Sequence, residues 1–262
     1  IETTFDLEPI NLKEEIVKLN QSGVSFIKIS EQLNIQRPVI RKWMKSINYK
    51  IVNEHNKLKI REDLFREIKT EEDAYWLGFI YADGYISDKG GFEISLKHTD
   101  YGHLLKFAEY CGFNKDKVVS KGKTNFPNSF RCRISFYTQQ TKINFTKHGV
   151  VPRKSLILTF PSFLEESLYP HFIRGYFDGD GSIILLKRKK SHVKRAMLIG
   201  TKEFLNKFFE ILPIKCSLSK DKRHKENTYY FSFNKKESIM FLNYIYENSN
   251  VYLERKYNLY LQ

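Results

Sequence analysis

Two stretches of this chain repeat each other at a fixed offset, and that repetition limits the folds open to it. Leu77 to Ile86 reads LGFIYADGYI, and Gly175 to Ile183 reads GYFDGDGSI. Asp83 and Asp180 stand 97 residues apart (180 − 83), as do Gly78 and Gly175 (175 − 78). A matched pair of segments about a hundred residues apart points to an internal duplication. Each copy reads as the end of an apolar helix that runs into an acidic turn and then a strand.

Thr70-Glu71-Glu72-Asp73 has the form of a capping box, so the first of these helices is predicted to begin near Glu71. Its body, AYWLGFIYA, is apolar almost all round, which predicts burial against more than one neighbour. Glycine inside a helix costs roughly 1 kcal/mol relative to alanine. Gly78 with Ala82, and Gly175 with Gly179, place small residues at i and i+4 on one face. That cost makes sense if the two helices pack closely against each other along this face.

After each motif the same order of elements returns. YISDKG and GFEISLK read as a hairpin and TDYGHLLKFAEYCG as a helix, followed by strands near VVSKGK and FRCRISFY and a helix at QQTKINFTKHG. The second half runs SIILLKRKK, KRAMLIG, TKEFLNKFFEIL, KCSLSKD, TYYFSFN and KKESIMFLNYIYEN in the same pattern. The predicted class is therefore α+β, two αββαββα repeats with helices on one face of each sheet. The repeats span residues 70–152 and 167–262, joined by a proline-punctuated connector over 153–166.

Residues 1–50 are predicted to form a separate all-α unit, and the polar stretch 51–69 a linker. KEEIVKLNQSG, SFIKISEQLNI and RPVIRKWMKSIN read as three short helices, with Pro38 at a first-turn position. Helix, glycine turn, helix, tight turn and basic helix is the helix-turn-helix pattern. Val39, Ile40 and Trp43 are expected to point inward. Gln36, Arg37, Arg41, Lys42 and Lys45 then face outward, towards DNA.

The formal charge of +14 over 262 residues calls for a polyanionic partner, most simply nucleic acid. There is no run of eighteen apolar residues and no signal-like opening, so a soluble intracellular protein is expected, in a cytoplasm, a nucleoid or an organelle matrix. Cys111, Cys132 and Cys216 are isolated and lack zinc-site spacing, and the seven histidines show no H-E-x-x-H pair. Zinc chemistry is thereby excluded. A calcium loop opening at Asp178 needs a Glu at its twelfth position, and that residue is Lys189.

The paired helices ending in YADG and FDGDG resemble the LAGLIDADG homing endonucleases in their monomeric, two-repeat form. GVVPRKSLILTFP before the second motif and LERKYNLYL at the end resemble that family's connector and tail. The first motif departs from the pattern at Trp76, Leu77 and Tyr81, in place of Leu, Ala and Asp, and these are read as packing positions. The resemblance implies a saddle of two four-stranded sheets lying in the DNA major groove, with the ends of the motif helices at the scissile phosphates. It implies Mg2+ as cofactor, with Mn2+ as a substitute and Ca2+ supporting binding without cutting.

Asp83 and Asp180 are then the metal ligands and catalytic acids, assisted by the carbonyls of Ala82 and Gly179. A helix C-terminus with a carboxylate just beyond it attracts cations, and two such carboxylates repel each other unless a cation sits between or beside them. By the same resemblance Lys97 and Lys235 order water near the metals. Gln139 stands as the first-half partner of Lys235, and Ile199 occupies the position opposite Lys97.

Basic residues cluster on equivalent hairpins and are expected to face DNA. In the first half they are Lys121, Lys123, Arg131 and Arg133. In the second, Lys187, Arg188, Lys189, Lys190, Lys194 and Arg195 gather around one hairpin, and Lys220, Lys222 and Arg223 around another. Phosphate contacts position such a protein, while base contacts specify the site. The reading is a double-strand endonuclease acting as a monomer on a long asymmetric DNA site. Nothing at either end resembles an intein junction, which favours a free-standing or intron-encoded enzyme. Two alternatives share these features: a non-catalytic transcription regulator, and a maturase that binds intron RNA.

Overall fold

Ser25 and Pro38 set the helix starts in the first part of the chain. Helix α1 covers Pro9–Gln21, α2 covers Phe26–Gln32 and α3 covers Arg37–Ser46. The Ser25 hydroxyl accepts from the Lys28 amide and caps α2, while Pro38 occupies the first turn of α3, where its missing N–H leaves nothing unpaired. Ile16, Ile29, Ile40 and Met44 make the core of this unit. Ile40 and Met44, four residues apart, share the inward stripe of α3, so Val39 and Trp43 stand only half-buried beside it. Gln36, Arg37, Arg41, Lys42 and Lys45 are all exposed.

The computed structural model describes residues 9–262 except 23, 50–59, 62, 124–128, 189–190, 213, 215 and 224–226. The chain forms two units, Ile1–Lys59 and Ile60–Gln262. The second unit begins at Ile60 and takes Leu64 and Phe65 into its core, where the polar sequence suggested a linker over 51–69. Leu64 and Phe65 are fully buried, and their carbonyls accept from Asn144 (2.7 Å) and His148 (2.9 Å).

The second unit opens with α4, Glu71–Asp83, whose start is the predicted capping box: Thr70 accepts from the Asp73 amide and Asp73 accepts from the Thr70 amide. Strands β1 (Gly84–Ile86) and β2 (Phe92–Lys97), helix α5 (Tyr101–Tyr110), strands β3 (Val119–Lys123) and β4 (Phe130–Phe136) and helix α6 (Gln139–Lys147) complete one repeat. The other runs α7 (Tyr169–Asp180), β5 (Ser182–Arg188), β6 (Ser191–Gly200), α8 (Lys202–Ile211), β7 (Ser217–Lys220), β8 (Tyr229–Ser232) and α9 (Lys235–Tyr246). A further helix, α10 (Glu254–Leu261), follows. The two antiparallel sheets have strand orders β1-β2-β4-β3 and β5-β6-β8-β7, the same order in each repeat. Among the described residues no helix is long and apolar enough to cross a membrane.

Helices α4 and α7 pack directly on one another at glycine. A Cβ on Gly78 would lie 2.0 Å from the Phe172 carbonyl oxygen, and one on Gly175 would lie 1.9 Å from that of Tyr75. These contacts exchange under the offset of the duplication, since Phe172 less 97 is Tyr75, and Gly175 less 97 is Gly78. The interface is thus self-complementary, like that of a two-fold dimer, but within one chain. Ala74 through Tyr81 are buried, as the all-round apolar pattern predicted.

Each sheet has one face under helices. In the first, Phe92, Ile94, Leu96, Cys132, Ile134 and Phe136 are buried on that face, and Glu93, Ser95, Lys97, Arg131, Arg133 and Ser135 alternate with them on the open one. In the second, Ala196, Leu198 and Phe231 are buried, and the opposite face carries Ile184, Leu186, Arg195, Met197 and Ile199.

Candidate functional site

The close packing of α4 on α7 brings their C-terminal ends together, and with them Asp83 and Asp180, the last residues of each helix. Gly179 lies at the meeting point. A Cβ there would stand 2.3 Å from the Ala82 Cβ and 3.3 Å from Asp83 Oδ2. The small residues at 82 and 179 therefore let one helix end approach the carboxylate of the other. Asp83 is half-buried, while Asp180 keeps an exposed surface although protein packs densely around it.

Two lysines that the sequence reading missed complete the site. Lys154, nearly buried in the connector between the repeats, donates to the Gly84 carbonyl at 2.5 Å. Lys256, on the first turn of α10, donates to the carbonyls of Phe177 (2.6 Å), Gly179 (3.3 Å) and Gly181 (2.5 Å). An ammonium has three N–H donors, and here three carbonyls at the end of α7 take them. The last carbonyls of a helix lack partners within it and carry partial negative charge, so a buried cation is well placed there. The Gly179 carbonyl, expected to help hold metal, is shared with Lys256.

These four groups act on one another's protonation. The surrounding protein's desolvation first, and then the Asp83 carboxylate, push Asp180 up to about 6, against the opposing pull of Lys154, Lys256 and a hydrogen bond from Tyr176. Burial likewise raises Asp83, with Lys256, Lys154 and Arg255 opposing. Burial brings Lys154 down to about 8, with Asp180 and Asp83 holding it up. Lys256 also falls to about 8 through burial, with Asp178 as its strongest supporting charge. Two acids raised and two bases lowered, in one small volume, is the pattern of a functional site.

The donors suit a hard cation. Carboxylates and backbone carbonyls are all-oxygen ligands, and Asp83 still raises Asp180 against the pull of Lys154 and Lys256, so a further cation beside the pair would ease the remaining repulsion. Among the described residues no three His, Cys, Asp or Glu side chains cluster as a closed metal site. A cation held by only two side-chain carboxylates completes its shell from water and phosphate, which is the habit of Mg2+ rather than of a structural zinc.

The other expected site residues stand at the ends of strands and helices in the two repeats. Lys97 ends β2 opposite Arg131, Gln139 opens α6 and takes a 2.9 Å hydrogen bond from Tyr137, and Lys235 opens α9. All three are exposed. Ile199 sits on the open face of the second sheet.

Arg131 and Arg133 are exposed on the open face of the first sheet, Arg133 within 3.8 Å of Glu93. Lys123 is exposed, and Lys121 holds its ammonium 4.3 Å from the Phe130 ring centroid. Arg195, Lys220 and Lys222 are exposed in the second half. Lys194 departs from the expectation. It shares the helix-covered face with Ala196 and Leu198, and its ammonium donates to the Tyr260 carbonyl. Arg223 is engaged by buried Asp221, through Nε at 2.9 Å and Nη2 at 2.7 Å. Lys187 and Arg188 end β5 with side chains outside the described residues, and Lys189 and Lys190 lie outside them altogether.

No family model matches the chain, and no curated protein matches it. Solved structures similar to it are LAGLIDADG homing endonucleases. I-GzeII in complex with its DNA target is 14% identical, covering 71% of this chain and 87% of its own, with a TM-score of 0.48. A mutant of I-SmaMI is 15% identical, over 71% and 88% of the two chains, with a TM-score of 0.47. I-AabMI bound to uncleaved DNA is 14% identical, over 71% and 86%, with a TM-score of 0.43.

Proposed function

We propose that this chain is a site-specific DNA endonuclease that hydrolyses one phosphodiester on each strand of a long asymmetric duplex, dependent on a divalent metal. The observation that carries this reading is the pairing of Asp83 and Asp180 at the joined ends of α4 and α7, flanked by the buried ammonium groups of Lys154 and Lys256. Mg2+, held by the two carboxylates, would supply polarisation of a phosphate oxygen and a more acidic bound water.

The chain's own groups account for the rest. Asp83 and Asp180 accept hydrogen bonds from water and orient it towards a phosphorus atom. Lys154 and Lys256 hold positive charge where a phosphate gains negative charge during displacement, and Lys154, with its pKa lowered to about 8 and N–H groups beyond the one given to Gly84, can pass a proton near neutral pH. Arg131, Arg133 and Lys97 on the open face of the first sheet, and Arg195 on that of the second, contact the duplex. The exposed row Gln36, Arg37, Arg41, Lys42 and Lys45 on α3 lengthens the footprint.

The test is selection from a randomised duplex library in Ca2+, followed by transfer of the bound duplexes to Mg2+. The reading expects one asymmetric site, cut on both strands. A site that is bound but stays whole in Mg2+ and Mn2+ would instead make the chain a DNA-binding regulator. Retention of intron RNA with no duplex enriched would make it an RNA binder.

A further inference from the structure

Positions 81 and 178 are equivalent under the duplication (178 − 81 = 97), and both carry polar groups inside the core. The Tyr81 hydroxyl donates to the His148 carbonyl at 2.5 Å. Asp178, with no exposed surface, accepts from Tyr75 (2.7 Å) and from the Leu253 amide (2.7 Å) on one oxygen, and from Tyr246 (2.5 Å) on the other. These partners belong to the two segments that carry the site lysines. His148 begins the run to Lys154, and Leu253 is the residue from which α10 starts, three before Lys256.

The two arrangements differ in chemistry and in partners, yet each runs from a motif helix to the segment that follows the last helix of its repeat. Gly149 faces Tyr81, and a Cβ there would stand 2.9 Å from the Tyr81 hydroxyl. The residue 97 positions on is Tyr246, at the end of α9, whereas Gly149 lies just past the end of α6. In the first repeat a long tyrosine on the motif helix reaches a glycine. In the second a short aspartate on the motif helix is reached by a tyrosine. The phenol crosses from one side of the junction to the other, and a hydrogen bond remains in both.

We propose that Tyr81 and Asp178 are positioning residues, each tying the end of a motif helix to the segment that delivers a lysine to the paired aspartates. The Asp178 tie is the stiffer. It fixes the Leu253 amide directly, and the Lys256 amide then closes on the Leu253 carbonyl at 2.9 Å. The Tyr81 tie acts at a longer remove, since Lys154 stands six positions beyond His148. The catalytic part of this inference rests on the endonuclease reading, and the structural part does not.

Two measurements on the full chain test it. Hydrogen exchange reports on residues 251–256 in Asp178→Ala and on 148–154 in Tyr81→Phe, whether or not the protein cuts DNA. Each variant is expected to speed exchange in its own segment by roughly tenfold, the size of one lost hydrogen bond to a charged or buried group, and not in the other. Strand-resolved cleavage of the selected site is expected to show the two variants slowing opposite strands, Asp178→Ala by about tenfold or more and Tyr81→Phe by less. Asp178→Asn keeps an oxygen for Leu253 and Tyr75 and can donate to the Tyr246 oxygen, so it is expected to restore most of both effects. Unchanged exchange in both segments overturns the inference, as does equal slowing of both strands in each variant. If the wild-type protein cuts no duplex, the endonuclease reading falls while the exchange result still decides the ties.

Discussion

Gly175→Ala places one methyl group into the tightest contact of the α4–α7 interface. The added carbon would sit 1.9 Å from the Tyr75 carbonyl oxygen, where ordinary contact begins at 3.4 Å, so the helices must part by up to about 1.5 Å (3.4 − 1.9). The obstructing atoms are backbone, so no side-chain rotation relieves the overlap. A gap of 0.5–1 Å already forfeits about a quarter to a half of the dispersion energy between facing atoms. Overpacking of this kind costs about 1–3 kcal/mol and sometimes more. Alanine's better helix propensity returns only about 1 kcal/mol. With most of the interface opened at once, the expected net loss is about 3 kcal/mol, at the upper end of that range. For a unit of 203 residues (262 − 60 + 1) this corresponds to a fall in Tm of roughly 6–12 °C. Gly102→Ala is the control: nothing lies within 4 Å of its new carbon, so a gain of about 0.5 kcal/mol is expected there. Calorimetry of both variants decides the matter. Should Gly175→Ala melt at or above the wild-type temperature, the close approach of the helices, and the site geometry built on it, would be refuted.

Asp180→Asn is expected to abolish double-strand cleavage while duplex binding in Ca2+ persists; undiminished cutting would remove Asp180 from the site. The same variant has a stability signature. The folded pKa of Asp180, about 6, lies above its ordinary 3.8, so the stability it contributes is present below about 4 and lost as pH rises through 6. Asp180→Asn should therefore melt higher than wild type at pH 8, with the difference vanishing towards pH 4. Cleavage by the wild-type protein should fall on the acid side at or below about 6 as Asp180 protonates, and on the alkaline side near 8 as Lys154 and Lys256 lose their charge. Lys154→Arg, which cannot deprotonate in this range, should shift or weaken the alkaline limb. Arg174→Met is expected to cost about 3 kcal/mol by chemical denaturation, because it strips a buried guanidinium from Glu71 (2.6 Å) and the Ile245 and Val251 carbonyls (2.8 Å each). The selected site should be unlike in its two halves. The charged open face of the first sheet, with Arg131 and Arg133, suits guanine, and the apolar face of the second, with Ile184 and Leu186, suits thymine methyls. Arg131→Ala should relax base preference in one half only.

Much of this architecture was legible because it depends on local rules that the duplication states twice. The capping box placed the start of α4 to the residue, the small residues at i and i+4 announced the helix contact, and the acidic turns marked the joined ends. The lysines of the site were not legible in that way. Lys154 follows Asp83 by 71 residues (154 − 83), and Lys256 follows Asp180 by 76 (256 − 180), so the constant offset that exposes the aspartates fails for them. The loop between α9 and α10 is longer than its counterpart, and a search at offset 97 passes them by. Their one shared mark is an Arg-Lys pair, at 153–154 and 255–256. Residues 60–69 were misread for a related reason, since two buried side chains among charged neighbours make too short a pattern to separate from linker.

The first motif also shows why Tyr81 looked like packing. Leu77 and Tyr81 stand where Arg174 and Asp178 stand in the second repeat (77 + 97 and 81 + 97). One copy of this helix is thus built with apolar and aromatic groups, and the other with two buried ions, on the same backbone. Replacing buried ions with apolar groups is often neutral or stabilising, and here the first repeat has the apolar solution in place. Stability alone therefore does not explain why the second repeat keeps its charges. Besides their bonds within the helix pair, Arg174 and Asp178 both engage residues 245–253, through two carbonyls, one amide and one phenol. Past Tyr246, where α9 ends, residues 247–253 have no helix or strand of their own to fix them before α10. An apolar pair could cover this stretch but could not set its register. Directional bonds from buried ions can, and three residues beyond the last of them stands Lys256.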